Sequence, residues 1–136
     1  MSAQSAGSLD TNIILRLLLN DIPDQRVTAK HLLEKTDGIF EIADASIVEV
    51  VFVMSRYYEL GRGDVSKGIL DFITQPNINS NQILFKKALN LFVNRPALSF
   101  EDCCLSVYAE INQAEPLWTF DKKLAAQAPN AKLVER

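Results

Sequence analysis

Apolar and polar positions along this chain follow two periods, and the points where the period changes divide it into elements. Asp10-Thr11-Asn12 stands before the helical run Ile13 to Leu19, with Asn12 or Thr11 as the expected N-cap. Ser5 to Ser8, just ahead, is too polar for a core strand, although Leu9 can finish a short one. Pro23 and Asp24 start a second helix with Val27, Ala29, Leu32 and Leu33 as its apolar face, and Gly38 closes it after Lys35. Ile39-Phe40-Glu41-Ile42 alternates over a short span, as a strand does. Asp44 is expected to cap a long helix through about Leu60, ended by Gly61 and Gly63. Its first half is apolar nearly all round, which predicts burial. Asp64 caps a further helix with Val65, Ile69, Leu70 and Ile73 on one face, and Pro76 ends it.

Asn77-Ile78-Asn79 reads as a short edge strand. Gln82 to Asn94 is an amphipathic helix with Ile83, Leu84, Ala88, Leu91 and Phe92 facing in and Lys86, Lys87 and Asn90 facing out. Pro96 stops it, and Ser99 begins another helix that runs to about Gln113. Pro116 to Phe120 reads as a strand, Asp121 caps a short helix, and Leu133-Val134 is a last strand. Short strands alternating with helices predict an α/β fold whose parallel sheet is covered on both faces. No repeat, long linker or low-complexity tract interrupts the 136 residues, so the chain reads as one domain, with residues 1–7 as a loose lead-in.

Composition narrows the class. No apolar run approaches the roughly 20 residues that span a bilayer. Met1 to Ser8 has neither the basic start nor the apolar stretch of a signal peptide. Cys103 and Cys104 are adjacent and have no second pair with which to form a zinc site, so they read as two small buried hydrophobes in a reducing cytoplasm. One histidine, His31, rules out most histidine-rich zinc sites, and no Gly-x-Ser-x-Gly elbow is present. A net charge of −3 excludes a chain that binds nucleic acid through its overall charge, while leaving room for a local basic strip.

Four acids then stand out. Asp10 opens the apolar run at Ile13, Glu49 lies inside Ile47 to Met54, Asp102 comes just before Cys103-Cys104-Leu105, and Asp121 ends Leu117-Trp118-Thr119-Phe120. Glu49 is expected to be at least partly desolvated, which calls for a cation, a donor or a raised pKa. Sites in open parallel sheets form beyond the carboxyl ends of the strands, where helix N-termini also gather. Topology therefore allows the four to meet, and together they would require a hard divalent cation. Each also has a structural explanation. Asp10 and Asp121 suit helix caps, Ser99-x-x-Asp102 resembles a capping box, and Glu49 suits a buried ion pair.

Leu9-Asp10-Thr11-Asn12-Ile13-Ile14, Asp44-Ala45-Ser46-Ile47-Val48-Glu49-Val50-Val51, Phe100-Glu101-Asp102-Cys103 and Thr119-Phe120-Asp121-Lys122-Lys123-Leu124 together resemble the PIN-domain family, most nearly the VapC-like toxins of bacterial toxin–antitoxin pairs. The resemblance covers about residues 8 to 135, with all four motifs in order. It implies a three-layer α/β/α sandwich with a short parallel central sheet and a cytoplasmic, Mg²⁺- or Mn²⁺-dependent endoribonuclease. Asp10, Glu49, Asp102 and Asp121 match the family's four acids, and Asn12 and Thr119 match its polar neighbours of the site. RNA is the implied substrate, with Arg16 and Lys122 as expected phosphate contacts. A homodimer and a cognate antitoxin are the implied partners, with the helices around Leu32-Leu33 and Ile69-Phe72 as candidate surfaces beside plain core packing. The alternatives are a PIN-like binding module without catalysis, a housekeeping RNA-processing nuclease and a phosphatase-like hydrolase of small phosphoesters.

Overall fold

The computed structural model describes residues 4–135. They divide between Asn81 and Gln82 into two compact units. The first holds β1 (Ser5–Ser8), α1 (Thr11–Leu18), α2 (Pro23–Lys35), β2 (Ile39–Glu41), α3 (Asp44–Arg56), α4 (Arg62–Ile73) and β3 (Ile78–Asn79). The second holds α5 (Gln82–Asn94), α6 (Phe100–Ile111), β4 (Leu117–Thr119), α7 (Lys122–Gln127) and β5 (Ala131–Leu133). The α/β class with parallel strands is as expected. The strands form a three-stranded and a two-stranded parallel sheet, one in each unit. No described helix is long and apolar enough to cross a membrane.

In the first unit β2 lies between β1 and β3, and its Phe40 is buried. The loose lead-in expected over residues 1–7 gives way to strand β1 from Ser5 onward, while residues 1–3 lie outside the described part. Main-chain pairing rather than apolar side chains makes this strand. The Ile39 amide donates to Gln4 O at 2.8 Å and the Leu9 amide to Glu41 O at 3.1 Å. An edge strand with exposed side chains tolerates such a polar sequence. Gly38 does not end α2, whose C-cap is Thr36. It adopts φ +105° where the chain passes against Gln4.

The core of this unit is a set of helical stripes: Ile14 and Leu15 of α1; Ile47, Val50, Val51 and Met54 of α3; and Val65, Ile69, Phe72 and Ile73 of α4. Ile69 and Phe72 are therefore core residues, in keeping with plain core packing. Three further expectations are corrected. Helix α3 ends at Arg56, and Ala43 occupies its cap while Asp44 lies in the first turn. It buries one stripe rather than its whole circumference, since Phe52 is 51% exposed. Of the face expected for α2, Ala29 is buried whereas Val27 and Leu32 are exposed.

In the second unit α5 buries Leu84, Phe85, Ala88, Leu89 and Phe92, while α6 buries Phe100, Cys103, Cys104 and Val107. The Phe100 ring stacks on Phe85 at 6.2 Å and meets Phe92 edge-on at 5.4 Å. Such arrangements favour aromatic pairs and fix the start of α6. Ile83, expected to face in, is 70% exposed because it falls opposite the stripe that Phe85 and Leu89 complete. Both cysteines are buried thiols, as expected.

Candidate functional site

Asp121 is the most firmly built of the four acids. It follows β4 and caps α7, its Oδ1 accepting from the Lys123 and Leu124 amides at 2.8 and 3.1 Å. Its own amide donates to Thr119 Oγ1 at 2.9 Å, so Thr119 fixes the backbone that carries the carboxylate. Asp102 lies in the first turn of α6, whose Ser99 cap accepts from the Asp102 amide at 3.1 Å. Asn130 anchors this helix against the sheet. Its side chain exchanges hydrogen bonds with Ser106, of 2.6 and 2.9 Å, and its carbonyl accepts from the Leu117 amide at 3.0 Å. Asp102 lies one turn before Ser106 on α6, and Asp121 lies two residues past the end of β4.

In the first unit Asp10 follows β1 and Leu9, and it caps α1 by accepting from the Ile13 amide through Oδ1 at 3.0 Å. Asn12 is exposed in the first turn of α1. Glu49 departs from expectation. It is exposed on α3, on the side away from Ile47, Val50, Val51 and Met54, so its apolar sequence neighbours do not desolvate it. At the carboxyl ends of the strands a polar row escaped the sequence reading. Ser8, Glu41 and Asn79 are register partners, and Asn79 Nδ2 donates to both Glu41 oxygens at 3.1 and 2.9 Å. Next to it Asn81 Nδ2 donates to Asp44 Oδ2 at 3.3 Å. The available signal was the polar residue closing each short strand.

Among the described residues none of the four acids is in an ion pair, and the cap bonds of Asp10 and Asp121 each use Oδ1. Carboxylate oxygens of this kind are the hard donors that Mg²⁺ and Mn²⁺ prefer, so the donor chemistry fits a divalent ion. No group of three or more His, Cys, Asp or Glu side chains that could hold a metal is found among the described residues. The PIN domain family matches residues 8–128, which include all four acids and both flanking polar residues. The chain belongs to the PIN-domain family. No curated protein matches it. PIN domains are generally metal-dependent nucleases, and their usual ion is a divalent one, commonly Mg²⁺.

Of the cations expected to meet substrate on this PIN domain, Lys122 and its neighbour Lys123 are exposed. Arg16 is not available in the same way. Its side chain is 12% exposed, and Nη2 lies 3.2 Å from Asp21 Oδ2, which also accepts from Tyr58 Oη. The Tyr58 bond, helped by backbone donors and by the charge of Arg16, holds the Asp21 carboxyl below its ordinary range, and Asp21 in turn pushes the Tyr58 phenol up. A lowered Asp21 contributes stability that is present above the unfolded carboxyl's pKa and lost as pH falls through the folded value. A raised Tyr58 contributes stability below the ordinary phenol pKa that is lost as pH rises through the folded value. Tyr58→Phe is accordingly expected to lower the thermal midpoint at neutral pH. Melting curves should show the gap to the parent narrowing as pH falls below the ordinary carboxyl range and Asp21 protonates.

Proposed function

We propose that the chain is a divalent-metal-dependent endoribonuclease and the toxin of a type II toxin–antitoxin pair. The observation that carries the nuclease reading is the state of Asp10 and Asp121. Each stands two residues past the end of a parallel strand, each is held by a helix cap through Oδ1, and among the described residues neither is in an ion pair. The toxin reading rests on the likeness of the four acid motifs to VapC-like toxins, and a homodimer and a cognate antitoxin follow from the same likeness.

Asp10, Glu49, Asp102 and Asp121 are the proposed ligands. A divalent ion supplies, when bound, an acidified water for attack on phosphorus and a counter-charge for the leaving oxygen. The protein's own part is positioning. Thr119 and the α7 amides hold the Asp121 carboxylate in one orientation, which defines where an ion is accepted. Asn12 adds an amide beside Asp10. Lys122, exposed next to Asp121, is the proposed phosphate contact. Magnesium takes few carboxylates and keeps several waters, which suits acids of which Asp10, Glu49 and Asp121 are exposed and Asp102 is half-buried.

The test is incubation of the purified, partner-free chain with mixed cellular RNA in Mg²⁺, Mn²⁺ and EDTA. Discrete cleavage with either metal and none in EDTA is expected. A folded chain that binds RNA and leaves it intact in both metals would instead be the non-catalytic binding module. A chain that turns over a model phosphoester and spares RNA would be a small-phosphoester hydrolase.

A further inference from the structure

The sheet of β4 and β5 alternates strictly in exposure. Leu117, Thr119, Ala131 and Leu133 are half-buried, whereas Trp118, Phe120, Lys132 and Val134 are exposed. A period of two follows from strand geometry. What it displays is unusual for an outer row: the chain's one tryptophan, 59% exposed, and Phe120, 82% exposed. Lys132 is the register partner of Trp118, and its Nζ lies 5.7 Å from the ring centroid, within cation–π reach. Phe120 leads directly into Asp121, and Lys122 and Lys123 follow, both exposed. Among the described residues none of these three lysines is in an ion pair.

Two rings with uncompensated ammonium groups beside them match single-stranded nucleic acid better than a protein surface. Bases offer π faces for stacking without demanding a sequence, and phosphates supply the charge that the lysines lack. The rings stand two strand residues apart, about 7 Å, a separation that successive splayed bases can span. We propose that this face is a stacking platform for single-stranded RNA. Trp118 and Phe120 each take a base, Lys132, Lys122 and Lys123 meet phosphates, and the strand is led to Asp121. The substrate it names rests on the nuclease reading above, but its binding test does not need cleavage.

Trp118 is its own probe, because no other residue contributes tryptophan emission. The full chain is titrated in EDTA with an unstructured RNA of about ten nucleotides, within the usual span of such sites. Quenching by the single strand and not by the same sequence as a duplex is expected. Phe120→Ala, at a position too exposed to carry the fold, should weaken binding by about tenfold, the usual scale for losing one stacked base. Lys132→Ala should weaken it and flatten its salt dependence. In the Mg²⁺ assay Phe120→Ala should raise KM by a similar factor. Quenching that Phe120→Ala removes, with no RNA cut in any metal, upholds the platform and removes the nuclease reading. RNA cleavage with unchanged Trp118 emission and an unchanged KM in Phe120→Ala overturns the platform and leaves the nuclease. Emission that tracks protein concentration rather than RNA, with self-association lost in Phe120→Ala, also overturns it and assigns the face to a second copy.

Discussion

Asp121→Asn is expected to lower metal-dependent RNA cleavage by about a thousandfold while leaving the unfolding midpoint close to the parent's. The two halves of that expectation have separate causes. A carboxylate that holds a divalent ion supports several kcal/mol of transition-state stabilisation, and each 1.4 kcal/mol is about a factor of ten in rate. An amide oxygen keeps the shape but loses the charge. The fold survives because Asn caps a helix about as well as Asp, so the bonds from the Lys123 and Leu124 amides persist. Asp121→Ala removes both functions and should cost about 1 kcal/mol of stability besides the activity. Cleavage rates measured beside urea midpoints separate the two. Full activity in Asp121→Asn would remove this residue from the chemistry and leave it as a helix cap alone.

Gly38→Ala is expected to destabilise the chain by about 3 kcal/mol or more, a large share of a typical domain's stability. A Cβ at this position would stand 2.2 Å from Gln4 O, which is main chain and cannot rotate aside. That oxygen accepts from the Ile39 amide, so relieving the overlap breaks a bond that holds β1 to β2. The hydrogen bond contributes about 1 kcal/mol and the forced positive φ costs about 1–3 kcal/mol. Gly7→Ala is the control. Its φ of +107° is equally unsuited to a side chain, but nothing lies within 4 Å. It should lose only the conformational part. Urea unfolding of both variants checks the difference, and equal losses would show that the contact with Gln4 is immaterial. Since β1 runs into Leu9 and Asp10, Gly38→Ala should also disturb the first acid.

Features set by local chemistry were readable in the sequence. The caps at Ser99 and Asp121 and both ends of α5 were located from residue type and period alone. Features set by partners distant in the chain were not. Strand β1 exists because its backbone finds β2, which a row of serines and a glycine does not announce. Glu49 was misjudged because sequence neighbours are not spatial neighbours on a helix, where positions 47, 50, 51 and 54 turn inward and 49 turns out. Arg16 promised a free cation, but its partner Asp21 is shared with Tyr58, just past the end of α3. The strand through Trp118 was legible, and which of its residues face solvent was not. Family membership came from four motifs in order, a pattern that survives such local misreadings.

The caps on Asp10 and Asp121 also bear on how readily an ion is taken up. A carboxylate bonded to backbone amides has chosen its rotamer by the time the helix forms. The entropy of ordering those two side chains therefore belongs to folding, and an arriving cation finds them preorganised. Glu49, exposed and without a cap of this kind, still has its rotamers to give up. Holding a divalent ion would therefore cost less ordering at Asp10 or Asp121 than at Glu49.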